Sequence, residues 1–190
     1  MPGCNQTLTG IAKDCAASIG GIKRLFLNLA SAISSIAVDV TSNMINDIDL
    51  VMTTGTNPEP VSKFKEFKLP KGVGSLQSSL QVNQDNGVNY IQNILTLVFN
   101  RMDTDKRMAI SALAVSECVA IVEDNNGKYW YVGKDDPLVS TGGDSGTGAA
   151  KTDRNGYGIN LQSEEKTYPF EIAVGDGTGG TIDLSTIVDE

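Results

Sequence analysis

The chain has 190 residues, with 15 Lys and Arg against 23 Asp and Glu, a formal net charge of −8, and no histidine. Hydrophobic residues at 40% suffice for a globular core, while 6% aromatics and 20 glycines favour strands and turns over a helical bundle. These numbers exclude histidine-dependent catalysis and argue against a nucleic-acid-binding surface, because an acidic chain repels phosphates and no Lys/Arg cluster is interleaved with aromatics.

One domain preceded by an arm is expected at this length. The longest weakly charged run, Leu25 to Val38, is interrupted by Asn28 and several serines, and no stretch reaches the roughly 18 apolar residues of a bilayer span, so no membrane partner is expected. Cys4, Cys15 and Cys118 are odd in number and lack C-x-x-C spacing. They predict neither a disulfide framework nor a zinc site, and they fit a reducing compartment. No signal peptide is expected.

Residues 1–21 are small, polar and glycine-broken, and read as an N-terminal arm whose Leu8, Ile11 and Ile19 could dock on a neighbour. Residues 22–190 read as the single domain. Ile22 to Leu29 predicts a strand; the Ser/Ala/Ile/Val region onward to Leu50 fits strand or helix; Thr53 to Pro60 is a proline-bearing loop. Lys63, Lys65, Lys68 and Lys71, among Phe64, Phe67 and Leu69, read as one solvated strand.

From Ser75 to Asn83 the alternation is sharp. Ser75, Gln77, Ser79, Gln81 and Asn83 take one parity, and Leu76, Leu80 and Val82 the other, predicting a strand with a polar face and a core face. Asn86-Gly87 is a turn signal, and Val88 to Asn100 completes a long hairpin. Asp103 caps a predicted helix to about Val115, with Met108, Ala109, Ala112 and Leu113 as its apolar stripe. Cys118 to Glu123 and Lys128 to Gly133, the latter carrying Tyr129, Trp130 and Tyr131, form a second hairpin across Asn126-Gly127.

Residues 134–152, with Asp135, Asp136 and the run Gly142, Gly143, Asp144, Ser145, Gly146, Thr147, Gly148, read as a long exposed loop. Loops of that length are usually functional, so partner contact is expected there. Two further strands, Tyr157 to Gln162 and Tyr168 to Val174, and a small apolar tail complete an α+β fold dominated by antiparallel β, a sandwich or barrel with one flanking helix.

Gly143-Asp144-Ser145-Gly146 matches the tetrapeptide around a protease serine nucleophile, but no histidine base exists to activate it. Gly175 to Gly180 satisfies G-x-G-x-x-G, yet only ten residues follow, too few for the helix and strand that fingerprint requires. Asp135 and Asp136 suit a structural Ca²⁺ or, by default, turn capping. No enzyme activity, cofactor or metal is expected.

The long hairpin, the central helix, the aromatic hairpin, the Gly142 to Lys151 segment, Thr152-Asp153-Arg154-Asn155-Gly156-Tyr157 and Tyr168-Pro169-Phe170 follow an order that resembles the tail tube proteins of tailed bacteriophages, over about Val73 to Ile172. The resemblance implies a virion structural protein, assembled in the host cytoplasm. Six copies would close into a ring with a continuous β-barrel inner wall, and stacked rings would let double-stranded DNA pass without specific binding. It implies that Ser75, Gln77, Ser79, Gln81 and Asn83 face the lumen, while the arm and the 134–152 segment contact neighbouring subunits. Other readings are a tail terminator, head decoration or baseplate component, or a monomeric glycan- or peptide-binding module using Tyr129, Trp130 and Tyr131 for stacking.

Overall fold

A computed structural model describes residues 10, 11, 13, 15–83 and 85–189. The first strand, β1 (Ile22–Leu29), runs into a 3-10 turn, Ala30–Ala32, and the hairpin β2 (Ile33–Val38) and β3 (Ile45–Leu50). The region that fitted strand or helix is therefore a β-hairpin. Then come β4 (Phe64–Glu66), β5 (Ser75–Asn83), β6 (Val88–Asn100), α1 (Thr104–Val115), β7 (Cys118–Asp124), β8 (Tyr129–Val132), β9 (Val139–Gly146) and β10 (Gly156–Glu165). The chain ends with β11 (Phe170–Glu171), the single turn α2 (Leu184–Ile187) and β12 (Val188–Asp189).

Three sheets result. Six strands in the order β11-β8-β7-β1-β4-β12 make the middle layer, four in the order β5-β6-β10-β9 make a second, and β2-β3 is a separate ribbon. All pairings between these strands are antiparallel except β12 with β4. The fold is α+β and mainly antiparallel β. Among the described residues no sheet closes on itself, so of the two expected architectures the chain adopts packed layers and not a barrel.

The middle sheet is covered on both faces. Leu25 and Leu27 of β1 with Ala120 and Val122 of β7 pack against Leu95, Leu97, Ile159 and Leu161 of the four-stranded sheet. Phe26, Val119, Ile121 and Tyr131 point the other way, into Ile45, Ile48 and Leu50 of β3 and Ile172, Ile182 and Ile187 of the C-terminal segment. This two-sided burial explains why Leu25-Phe26-Leu27 and Cys118 to Glu123 are buried without alternation. Each such side chain contributes about 2 kcal/mol relative to exposure.

Two expectations need correction. The lysine-bearing segment forms only the three-residue β4, whose Phe64 is fully buried, because it is sandwiched between β1 and β12 in the middle sheet. The helix does begin at Asp103, whose carboxylate accepts the Lys106 N–H at 2.8 Å. It joins the core through Leu113 and Ile110, one ridge at i, i+3 spacing, while Met108 is 62% exposed and Val115 87%. No helix among the described residues is long and apolar enough to cross a membrane.

A polar row crosses the four-stranded sheet on its buried side. Ser78 donates to Asn93 Oδ1 at 2.6 Å, and Asn93 Nδ2 donates to Ser163 Oγ at 3.3 Å and Glu165 Oε2 at 2.8 Å. Glu165 Oε1 accepts the successive backbone N–H groups of Gly133, Lys134 and Asp135 at 3.0, 2.5 and 3.3 Å, pinning the β8–β9 connection to β10. Burial pushes the Glu165 carboxyl above its ordinary range, against those three N–H bonds, which favour the anion.

A raised folded-state pKa means that the native state binds the proton more tightly than the unfolded chain. The stability Glu165 supplies is thus fully present below the ordinary value of 4.5 and is lost as pH rises through the folded value. Comparison with Glu165→Gln cancels the opposite slope from aspartates such as Asp39, Asp103 and Asp153, which hydrogen bonds hold below their ordinary range. In urea titrations from pH 4.5 to 7, wild type should lose stability relative to Glu165→Gln as pH rises; parallel curves would show that Glu165 does not titrate in this window.

Candidate functional site

The face of the four-stranded sheet turned away from the core is built from cross-strand rows. Ser75, Thr96, Asn160 and Gly142 share one row; Gln77, Ile94, Gln162 and Val139 the next; Ser79, Gln92 and Glu164 a third. Gln81 with Tyr90 and Asn83 with Val88 complete it toward the hairpin tip. All five residues of the polar parity, Ser75, Gln77, Ser79, Gln81 and Asn83, therefore lie on one sheet face, as their alternation requires. Gln81 Nε2 donates to Ser79 Oγ at 3.3 Å and to Gln92 Oε1 at 3.4 Å, knitting the face laterally. Its charges are Glu164 and Asp144, the latter paired with Arg154.

The opposite parity of β5 departs from expectation. Leu76 is half-buried, but Leu80 is 51% exposed and Val82 56%, so they are not the core face the pattern predicted. β5 is an edge strand whose far half the middle sheet leaves uncovered, and alternation reports which face a residue takes, not whether anything covers it.

The 134–152 segment is the larger correction. Val139–Gly146 is a strand, β9, paired antiparallel with β10 along Val139 to Gly146 with a register slip beside Thr141. Gly142, Gly143, Asp144, Ser145 and Gly146 are thus in a sheet, and Thr147 and Gly148 begin the turn back. The glycines are needed for close approach: a Cβ on Gly143 would lie 2.6 Å from the Gly158 carbonyl oxygen, and one on Gly156 2.0 Å from that of Phe99. A composition typical of loops is here that of a tightly stacked strand pair.

Asp135 pairs with its chain neighbour Lys134 at 3.1 Å, and Asp136 accepts the Glu164 N–H at 2.9 Å, which fastens the β8–β9 connection to β10. No group of three or more Asp, Glu, Cys or His side chains converges among the described residues. Ser145 and Asp144 of the protease-like tetrapeptide lie on adjacent positions of β9, hence on opposite sheet faces. Gly175 to Gly180 is a turn held by Asp176, which accepts from Thr178 N and Oγ1, and the one helix that follows among the described residues is the single turn α2.

The aromatic hairpin is not one platform. Tyr131 is fully buried between layers, Tyr129 shares its face, and Trp130 points oppositely, donating Nε1–H to Asp124 Oδ2 at 3.1 Å. Trp130, Tyr168, Pro169, Val122 and Leu76 line an open groove of about 610 Å³ between the two large sheets. Burial alone would raise the Asp124 pKa, but hydrogen bonds from Lys128 N–H, the Trp130 indole and Asn126 outweigh it and hold the carboxyl below its ordinary range. At the rim Asn126 clamps the arm: its Oδ1 accepts the Ile19 N–H at 2.9 Å and its Nδ2 donates to the Ile19 carbonyl at 3.1 Å. Ile19 is 63% exposed and Ile11 99%; Leu8 lies outside the described residues.

Sequence reasoning missed the second edge. The four-stranded sheet ends at β5 on one side and β9 on the other. Neither strand carries a lysine, arginine or proline, while β9 has a bulge at Thr141, carries Asp144 and has α1 packed beside it. The signal was legible only as the lack of Lys, Arg and Pro in Val139 to Gly146. No protein-family model matches the chain, and no curated protein matches it either.

Because Gly143 sits against the β10 backbone, Gly143→Ala should force β9 away and cost about 2 kcal/mol. Hydrogen exchange should then show the amides of Val139 to Gly146 losing protection, with β1 and β7 unchanged; intact protection in β9 would refute the close-approach account.

Proposed function

We propose that this chain is a self-assembling structural subunit, in its most specific form the tail tube protein of a tailed bacteriophage. Copies of the four-stranded sheet would join edge to edge into a closed barrel whose inner wall is the polar face bearing Ser75, Gln77, Ser79, Gln81 and Asn83. The observation that carries this reading is that β5 and β9, the two edges of one sheet, have no strand partner on their outer sides.

Strand direction supports it. Four antiparallel strands leave β5 and β9 running oppositely, so β5 of one copy beside β9 of the next, with the copies related by rotation about a ring axis, continues the antiparallel pattern. Such heterologous contacts close into rings when the rotation closes. Barrels of about 16 strands already leave an aqueous channel, so four or more copies would enclose a lumen. A wall in which Ser, Gln, Asn and Thr alternate with Val88, Tyr90, Ile94 and Val139 and charges are few, in a chain of net charge −8, offers sliding DNA little to grip. Closure also removes the exposed edges.

Backbone N–H groups of β5 alternate between β6 and the open side, so one of Ser79→Pro and Leu80→Pro removes an outward donor and the other a ladder bond. The outward variant should keep its circular dichroism spectrum and monomeric fold. Wild type should form rings or tubes by negative-stain electron microscopy across a concentration series, and that variant should not. Assembly by both proline variants would sink the edge-pairing reading. For the lumen, Gln77→Lys should leave assembly intact and slow DNA ejection from particles that carry it; normal ejection would place this face elsewhere.

A further inference from the structure

Leu76 of β5 lines the groove between the two large sheets, and on the same face of β5 the exposed Leu80 and Val82 lie further along the strand toward the hairpin tip. Nothing in the described chain fills the groove. Its rim is formed by the root of the chain's own arm, Ser18 to Gly21. That root is fixed by Asn126 on Ile19 and by Asn125, whose Nδ2 donates to the Gly20 carbonyl at 2.7 Å. Upstream of the clamp the described arm residues, Gly10, Ile11, Lys13 and Cys15 to Ser18, are all exposed. One chain thus presents an uncovered apolar groove and, anchored at its rim through Ile19, an exposed segment whose Ile11 covers nothing.

We propose that the groove receives the N-terminal arm of a second copy, with Ile11 seated against Leu80, Val82 and Tyr168. This deepens the self-assembly reading and rests on it. Three observations select that occupant. The arm's own domain leaves Ile11 99% exposed, so its apolar surface is satisfied elsewhere. Eight residue steps from Ile11 to the Ile19 clamp span up to about 28 Å when extended, long enough to cross to a copy docked at the adjacent β5 edge. The groove also adjoins β5, the edge at which the next copy is placed, making barrel seam and arm site one continuous surface. Trp130 and Tyr168 supply large contact area, and the exposed Leu80 and Val82 lose their contact with water.

The test uses full-length protein with a benzophenone amino acid in place of Ile11, prepared as light and heavy-isotope copies, mixed, photolysed, and mapped by mass spectrometry beside electron microscopy of the same sample. The expected result is mixed-label cross-links from position 11 to peptides containing Leu80, Val82, Trp130 or Tyr168. Val82→Asp on the acceptor copy, an exposed position that the fold tolerates, should reduce them about tenfold, the loss expected for one buried aliphatic contact. Same-label cross-links alone would mean that each arm folds onto its own domain and would overturn the proposal. Rings without cross-links at the groove would overturn it while leaving the barrel reading intact; mixed-label cross-links without rings would support it and sink the barrel reading; neither rings nor cross-links would sink both.

Discussion

The rest of the structure depends on the double burial of β1 and β7. Two adjacent strands, buried on both faces over Leu25 to Asn28 and Cys118 to Glu123, bring together a four-stranded sheet on one side and a ribbon plus C-terminal segment on the other. Each outer layer then needs only one apolar face, leaving its other face chemically unconstrained by folding. The polar rows of the four-stranded sheet exist because the middle layer supplies the core for both neighbours.

That separation has a further consequence. Because β6 and β10 occupy the centre of the four-stranded sheet and anchor it through Leu95, Leu97, Ile159 and Leu161, the flanking β5 and β9 can remain edges without loss of the fold. The buried row Ser78, Asn93, Ser163 and Glu165 fixes register across three of these strands, since a slip of one residue would leave the Glu165 carboxylate without Asn93. Edge exposure, outer-face polarity and the open groove are therefore properties of one scaffold. They are the features an assembly subunit can use without compromising its own stability.

Much of the chain was legible residue by residue. β1, β5, β6 and the Asp103 cap match their predicted spans because alternation, turn chemistry and capping act within a few residues of one another. The polar face of β5 was legible for the same reason. The coverage of Leu80 and Val82, the docking ridge of α1 and the pairing of β9 were not. Each depends on a partner far along the chain: β9 is a strand because β10 supplies its hydrogen bonds and lies close enough to demand glycine at 143.

By itself the sequence determined the antiparallel β character, the positions of the main hairpins and helix, and the lack of any histidine-based chemistry, all of which follow from local period and composition. The tertiary structure alone decided which strands became edges, which apolar residues stayed in water, and that Trp130 lines a groove while Tyr131 fills the core. The reason is physical: dihedral preference and side-chain period are set within a few residues, whereas burial and strand pairing are set by whatever distant segment arrives to provide contacts and hydrogen bonds.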